Sequence, residues 1–267
     1  MFTLGRKIDI HYKTNRWILI IGIIVTGLSY ILTREFSIAW KTGASVFLTW
    51  ALTREIDPKR EYAAFVSSFF VLSSLLVNFQ VDLMVIFFLL LTLRLVNKVV
   101  GDNNTIFDMF TLLGFAGFLS FNKETSAYIL ILLLSLFLNS KTTKDKKINT
   151  VFFILTTLVL FVELFLIGGF RISGFMGKGI LITGFVSIFL FLIFILLDND
   201  KATLNDNGLL VESQTILKAQ ILFALGLGIM LIYTSIPIGN LIVYLSSIWG
   251  YMIYGTISML KKKKIQV

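Results

Sequence analysis

Ten apolar segments, separated by short polar connections, run through this chain of 267 residues. They are residues 17–32, 38–53, 63–79, 83–96, 106–121, 127–139, 150–169, 180–197, 216–236 and 238–260. They show no alternation of apolar and polar residues, which a membrane-spanning strand would need. Within lipid, helices satisfy their own backbone hydrogen bonds. We therefore predict an all-α protein, a polytopic transmembrane helical bundle.

The lengths of the segments leave the number of spans open. A helix rises about 1.5 Å per residue and the hydrocarbon core is about 30 Å thick, so one crossing needs roughly 17–25 residues. Segments long enough to cross directly are 63–79, 150–169, 180–197, 216–236 and 238–260. Segments 106–121 and 127–139 form either two thin spans or one re-entrant hairpin. We predict about ten spans, with eight as the alternative.

Composition excludes most classes of soluble protein. Apolar residues make up 57% of the chain and charged residues 15%, whereas soluble domains have roughly 45–50% and about 25%. The mean hydropathy is +0.88. The chain has no cysteine, which excludes disulfides, thiolate catalysis and iron–sulfur clusters. Its one histidine, His11, lies outside the apolar segments, which excludes a serine–histidine catalytic pair within the membrane.

The basic residues are concentrated at alternate connections, and this pattern predicts the orientation. With the N-terminus in the cytoplasm, 19 of the 24 lysines and arginines lie on the inner side. Five lie on the outer side, namely Arg34, Lys41, Lys123, Arg171 and Lys178. Basic residues near span ends are retained in the cytoplasm. We predict a multi-pass protein of the cell membrane with both termini cytoplasmic.

The net charge of +9 does not indicate nucleic-acid binding in this chain. The lysines and arginines lie between apolar runs, where anionic lipid head groups attract them. No arginine-rich face interleaved with aromatic residues is present. We therefore expect membrane lipids as partners, and no nucleic acid.

The strongly basic connection at residues 141–149 divides the apolar segments into a group of six and a group of four. We predict a single integral membrane domain over residues 1–267, with sub-bundles 1–140 and 150–267 joined by this connection in the cytoplasm. The unequal split argues against a five-plus-five inverted duplication, which is typical of several transporter folds.

Small residues recur where helices can approach closely. Gly114 and Gly117 lie in one segment, and Ala224 and Gly228 lie in another. Small side chains at such spacings let helix backbones pack in direct contact. These positions therefore predict close helix packing.

Two ionisable side chains lie within the apolar segments. Glu163 lies in the outer half of segment 150–169, and Lys41 lies three residues into segment 38–53. A charge in hydrocarbon is unfavourable, so such residues usually face the bundle interior or a water-filled cavity. We predict a secondary transporter or permease for a small solute, without a cofactor. Glu163 is the candidate substrate- or ion-coupling group, and Lys41 is its candidate partner.

Two cytoplasmic connections support an alternative, a membrane-embedded enzyme that acts on a lipid-linked phosphate. The candidate metal ligands or bases are Glu55, Asp57, Asp102 and Asp108, and the candidate phosphate contacts are Arg54, Arg60 and Arg94. Carboxylate oxygens bind Mg²⁺, and guanidinium groups bind phosphate. Only this alternative requires a metal ion, Mg²⁺. It also requires that connections 54–61 and 94–108 lie close together.

A third alternative is a non-catalytic membrane subunit or scaffold. Its apolar surface would pack against a membrane-protein partner or a second copy of the chain, and its interior would lack a polar cavity. The sequence favours the transporter over an enzyme, because most of the chain lies in apolar segments and no soluble domain is available for catalysis.

Overall fold

The computed structural model describes residues 3–6, 8–72, 81–100, 104–140, 146–167, 169–172, 174 and 176–265. Within these residues it contains ten α-helices and one two-stranded hairpin. The helices are α1 (Lys13–Thr33), α2 (Phe36–Ile56), α3 (Glu61–Val71), α4 (Leu83–Asn97), α5 (Ile106–Asn122), α6 (Ala127–Ser140), α7 (Lys146–Ile167), α8 (Lys178–Leu197), α9 (Ser213–Tyr233) and α10 (Ile238–Ile265). Each predicted apolar segment corresponds to one helix, so the prediction of an all-α helical bundle is confirmed.

Five of the described helices, α1, α7, α8, α9 and α10, are long and apolar enough to cross a membrane. In α1 and α7, 17% of the apolar window is buried inside the protein. Phe165 in α7 is 89% exposed, and Ile23 in α1 is 73% exposed. Apolar surface of this extent is unfavourable in water and favourable in lipid. The structure therefore supports a helical membrane protein.

The lengths of the remaining helices do not decide the number of spans. Helix α3 ends at Val71, and residues 73–79 of the predicted segment 63–79 lie outside the described residues. Helices α5 and α6 have 17 and 14 residues and are joined by the turn at residues 123–126, which fits both two thin spans and a re-entrant hairpin. Ten spans and cytoplasmic termini stay predictions.

Strands β1 (Thr203–Leu204) and β2 (Leu210–Val211) form an antiparallel hairpin that the sequence analysis did not predict. Asn205 closes its turn, because the Oδ1 atom accepts a hydrogen bond from the backbone N–H of Leu209 at 2.8 Å. Gly208 adopts a φ of +77°, a backbone conformation that glycine takes without strain. The polar run after α8 therefore forms a closed turn.

The chain forms two compact units. Unit 1 comprises residues 1–6, 87–192 and 199–236, and unit 2 comprises residues 7–86, 193–198 and 237–267. Unit 1 thus contains α5, α6, α7, the hairpin, α9 and most of α4 and α8. Unit 2 contains α1, α2, α3 and α10. The division into sub-bundles at 141–149 stays a prediction, and residues 141–145 lie outside the described part of the chain.

In unit 2, two pairs of helices approach each other at glycines. A Cβ atom added to Gly43 of α2 would lie 2.6 Å from the carbonyl oxygen of Gly22 in α1. A Cβ atom added to Gly250 of α10 would lie 2.7 Å from the Cα atom of Ser67 in α3. Backbones this close leave no room for a side chain. The two glycines therefore fix how α1 packs on α2 and how α3 packs on α10.

The glycines selected from the sequence pack less closely than predicted. A Cβ atom added to Gly114, Gly117 or Gly228 would meet no described atom within 4 Å, so the prediction of close packing was wrong at these three positions. Ala224 is fully buried and does lie in the core. The spacing of small residues is thus not enough to locate helix contacts.

In unit 1, aromatic rings pack α4 against α5 and α6. Phe88 makes edge-to-face contacts with Phe115 of α5, at 5.7 Å between ring centroids, and with Tyr128 of α6, at 5.9 Å. Such a ring pair contributes about 0.5–1.5 kcal/mol beyond its buried area. These contacts hold the N-terminal turn of α6, and Ser126, the residue just before α6, contacts the candidate coupling group Glu163.

Candidate functional site

The carboxyl group of Glu163 is held just before the start of α6 in unit 1. Its Oε1 atom accepts a hydrogen bond from Ser126 Oγ at 3.1 Å. Ser126 Oγ in turn accepts one from the backbone N–H of Arg171 at 3.2 Å. One carboxylate oxygen is therefore fixed by the turn before α6 and by the segment after α7.

The second carboxylate oxygen of Glu163 has no such contact. Its Oε2 atom is buried and makes no hydrogen bond with the described residues. Ser120 Oγ, near the end of α5, is likewise buried without a hydrogen-bond partner among these residues. The carbonyl of Ser120 accepts a hydrogen bond from the Thr125 backbone N–H at 3.1 Å, next to Ser126. The site therefore has unused capacity for a proton or a cation.

Helix α9 and an aromatic pair complete this end of unit 1. Thr125 Oγ1 donates a hydrogen bond to the carbonyl oxygen of Tyr233 at 3.0 Å. The Tyr233 ring makes an edge-to-face contact with Phe170, at 5.9 Å between centroids. The ends of α5, α6, α7 and α9 thus converge near Glu163. In the sequence, this site is visible only as one acidic residue within an apolar run.

Lys41, the predicted partner of Glu163, lies half-buried in α2 of unit 2. Glu163 belongs to unit 1. The pairing of Lys41 with Glu163 therefore stays a prediction.

A second polar cluster lies in unit 2, around Arg60 at the start of α3. Arg60 Nε donates a hydrogen bond to Asp57 Oδ2 at 2.7 Å, and its guanidinium also donates to Asp198 Oδ2. Tyr251 Oη donates to the same oxygen of Asp198 at 2.8 Å. The guanidinium lies over the Tyr251 ring, 5.3 Å from its centroid. We call Asp57, Arg60, Asp198 and Tyr251 the Arg60 cluster.

The charges of the Arg60 cluster are strongly buried. The exposed fractions of Asp57 and Asp198 are 3% and 2%. Burial raises the pKa of Asp57 to about 6, against the opposing effect of the adjacent Arg60 guanidinium. Burial lowers the pKa of Arg60, but the carboxylates of Asp57 and Asp198 raise it to a net value above its ordinary one. Arg60 therefore stays charged, whereas the pKa of Asp57 is raised to about 6.

Arg54 and Glu55 lie one turn before this cluster, at the end of α2. Arg54 forms an ion pair with Glu61 at 3.3 Å and lies over the Trp50 ring, 5.3 Å from its centroid. Tyr12 Oη donates a hydrogen bond to the same Glu61 oxygen. Glu55 is 1% exposed. Two of the three arginines predicted to contact phosphate, Arg54 and Arg60, are thus engaged by carboxylates of the protein.

The predicted residues Arg94 and Asp108 lie in unit 1 and contact the N-terminal segment. Asp108 Oδ1 accepts a hydrogen bond from the Thr3 backbone N–H at 2.6 Å. Asp108 Oδ2 accepts one from the Thr105 backbone N–H at 2.8 Å, as part of a capping box at the start of α5. Arg94 donates to the Leu4 carbonyl oxygen at 3.1 Å. Both side chains thus have structural roles in this arrangement.

The described residues contain no group of three or more histidine, aspartate or glutamate side chains that could hold a metal ion. Asp102 lies outside the described residues. Connection 54–61 belongs to unit 2 and connection 94–108 to unit 1, so their predicted convergence stays a prediction.

Sequence reasoning missed three residues of these sites. Asp198 is the first charged residue after the apolar run of α8, and this position was a usable signal. Tyr251 lies inside an apolar segment among other aromatic residues, and Ser126 lies in a short turn. Nothing local distinguishes their hydroxyl groups, because their partners are distant in the sequence.

Comparisons with models of protein families, with curated proteins and with solved structures find no match to this chain. Function is therefore argued from the geometry of its own residues. Two sites stand out among the described residues, Glu163 in unit 1 and the Arg60 cluster in unit 2.

Proposed function

We propose that this protein is a secondary transporter or permease of the cell membrane that moves a small solute, with Glu163 as its coupling group. The observation that supports this most is the buried Oε2 atom of Glu163, which has no hydrogen-bond partner among the described residues. Glu163 lies in α7, one of the helices able to cross a membrane. Acidic residues within membrane spans commonly mark ion or substrate pathways.

The contacts of Glu163 suit repeated uptake and release of a proton. Ser126 holds one carboxylate oxygen in place, and the backbone of Arg171 orients Ser126. The other oxygen is left to bind a proton or the cationic group of a solute. A proton can therefore bind and leave without breaking the contact that positions the side chain.

The arginines argue against the enzyme alternative. Arg60 is held by two carboxylates, Arg54 pairs with Glu61, and Arg94 contacts the backbone of the N-terminal segment. A lipid-linked phosphate would have to displace these partners, and buried ion pairs are costly to break. A scaffold would account for the exposed apolar helices, but it gives no role to Glu163.

The proposal includes the membrane arrangement derived from the sequence. It places both termini in the cytoplasm and counts ten spans, with membrane lipids around them. Glu163 then lies in the outer half of the membrane, and Lys41 approaches the same depth from the outer surface. This depth makes Lys41 a candidate partner during transport.

Glu163→Gln is expected to abolish proton coupling. We would reconstitute the protein in liposomes loaded with a pH-sensitive dye and add sugars, amino acids, carboxylates and amines in turn. Proton flux that accompanies a solute should fall at least about tenfold in the variant, because the amide cannot exchange a proton at this position. Glu35→Gln, at the exposed N-terminal end of α2, is the matched control and should transport normally.

Carbodiimide labelling tests the carboxyl group without knowledge of the solute. A hydrophobic carbodiimide reacts with protonated carboxyl groups in apolar surroundings, so mass spectrometry should find Glu163 modified and the exposed Glu35 unmodified. Full coupling in Glu163→Gln, or no labelling of Glu163 at any pH, would contradict the proposal.

A further inference from the structure

The carboxyl group of Glu163 has no cationic partner among the described residues. Its described hydrogen bond comes from the Ser126 hydroxyl group, and its Oε2 atom is buried without a partner. Arg171 contributes its backbone N–H to Ser126, and its guanidinium forms no ion pair with Glu163 in the described part of the chain. A charge within a membrane span is unfavourable unless a counter-charge or a proton neutralises it. The geometry therefore points to a neutralising group that the protein itself does not supply.

The titratable groups around Glu163 belong to the helices packed beside it and to their connections. Helix α7 packs against α6 and α5. The groups at the same end of these helices as Glu163, with the end of α9, are Arg171, Lys123, Glu124, Tyr128 and Tyr233. Those at the opposite end are Asp108, Lys146 and Lys147. The hydrogen bonds and ion pairs of the described residues join none of these side chains to the carboxyl group of Glu163.

The chemistry of the site favours an organic cation over a metal ion. Ca²⁺ and Mg²⁺ take about six or more oxygen ligands, whereas Glu163 offers one free carboxylate oxygen. An ammonium or guanidinium group needs a single acceptor for each N–H, and the charge strengthens that hydrogen bond. Phe170 directly precedes Arg171, and its ring contacts the Tyr233 ring. Aromatic rings, which attract organic cations, thus lie on residues next to those that hold Glu163.

We propose that Glu163 exchanges a proton for a monovalent organic cation with N–H donors, an ammonium or a guanidinium group, in a ratio of one to one. This inference rests on the proposed function and adds to it the class of the solute and the direction of the proton. Both occupants use the Oε2 atom. A protonated Oε2 has lost its charge and does not hold the cation, so the two occupants bind in turn.

The exchange keeps the loaded site neutral. With a proton on Oε2, Glu163 carries no charge. When this O–H bond breaks, the proton passes to water, and the ionised carboxylate accepts an N–H hydrogen bond from the cation, so the net charge is again zero. Ser126 holds Oε1 in both states. The empty, ionised site is unfavourable in the membrane, so we expect reorientation only with a proton or a cation bound, which couples the two fluxes.

Proton movement driven by a permanently charged cation tests the exchange. The full-length protein would be reconstituted in liposomes loaded with a pH-sensitive dye, and methylguanidinium chloride would be added outside. A guanidinium keeps its charge at neutral pH, so it does not cross the lipid as a neutral base. We expect the lumen to become more alkaline, because each cation that enters sends one proton out. Tetramethylammonium has the same charge without N–H donors and should respond at least about tenfold more slowly.

The ratio of one to one predicts that the exchange moves no net charge. An inside-negative membrane potential, set by a potassium gradient and valinomycin, should therefore leave the initial rate unchanged. A transport step that carries a net positive charge inward would be accelerated by this potential. A rate that depends on the potential would overturn the one-to-one exchange.

Glu163→Gln should lose the alkalinisation by methylguanidinium, and Glu35→Gln should retain it. Acidification of the lumen by methylguanidinium would mean that the proton and the cation move together, which would overturn the exchange. Proton movement with sugars or carboxylates, but not with methylguanidinium, would overturn the cation as solute and leave the proposed function in place. If no solute moves protons, the proposed function itself fails. The last three results need only the unsubstituted protein, so they hold even if Glu163→Gln does not fold.

Discussion

Arg60→Met is expected to lower the free energy of unfolding by about 3–5 kcal/mol at neutral pH, because it removes the cation that pairs with two buried carboxylates. Asp57 and Asp198 are both almost fully buried and both depend on the Arg60 guanidinium. Methionine has a comparable volume and fills the same space, so the loss reports on charge rather than on packing. Unfolding in detergent micelles, followed by circular dichroism, measures the difference.

The effect of Arg60→Met should diminish as the pH falls. Removal of the guanidinium raises the pKa of the buried Asp57 further above its unfolded value of 3.8. A carboxyl group with a raised pKa binds more protons in the folded state than in the unfolded one, so stability increases as the pH falls through that pKa. Unfolding at pH 5 and pH 7.5 compares the two conditions.

Lys59→Met is the matched control, because Lys59 is adjacent in sequence and exposed. It should change stability by no more than about 0.5 kcal/mol at either pH. Equal stability of Arg60→Met and Lys59→Met would mean that the Arg60 cluster contributes nothing to the fold.

Gly250→Ala is expected to destabilise the protein by about 3 kcal/mol. This value lies at the upper end of the range for overpacking, because the added Cβ atom would meet backbone atoms of the neighbouring helix. The added Cβ atom would lie 2.0 Å from Ser67 Oγ, 2.6 Å from its backbone nitrogen and 2.7 Å from its Cα atom. Helices α3 and α10 would have to separate. Thermal unfolding of the purified variant gives the size of the effect.

Gly228→Ala is the control for Gly250→Ala, because it lies in helix α9 and its Cβ atom would meet no described atom within 4 Å. Alanine is favoured over glycine in helices, so this variant should gain about 0.5–1 kcal/mol. Ser67→Ala should not rescue Gly250→Ala, because the backbone atoms of Ser67 remain in contact. Equal stability of the two glycine variants would contradict the close approach of α3 and α10.

The positions of the helices could be predicted because apolarity acts on each segment separately. Segment 180–197 became α8 with its end unchanged, and segment 17–32 gained its polar flank to become α1. Glu163 was also visible, because one acidic residue inside an apolar run is unfavourable without a function. The hairpin at residues 203–211 was missed, since its strands have two residues each and carry no periodic pattern.

The sequence by itself determined the class of protein, the ten helices and the acidic residue in a candidate span. The tertiary structure alone decided which charges pair and which glycines make contact. Arg60 and Asp198 are 138 positions apart, and Gly250 meets Ser67 from another helix. Hydrophobicity is a property of each segment, whereas a salt bridge or a close backbone approach depends on how helices distant in the sequence pack together.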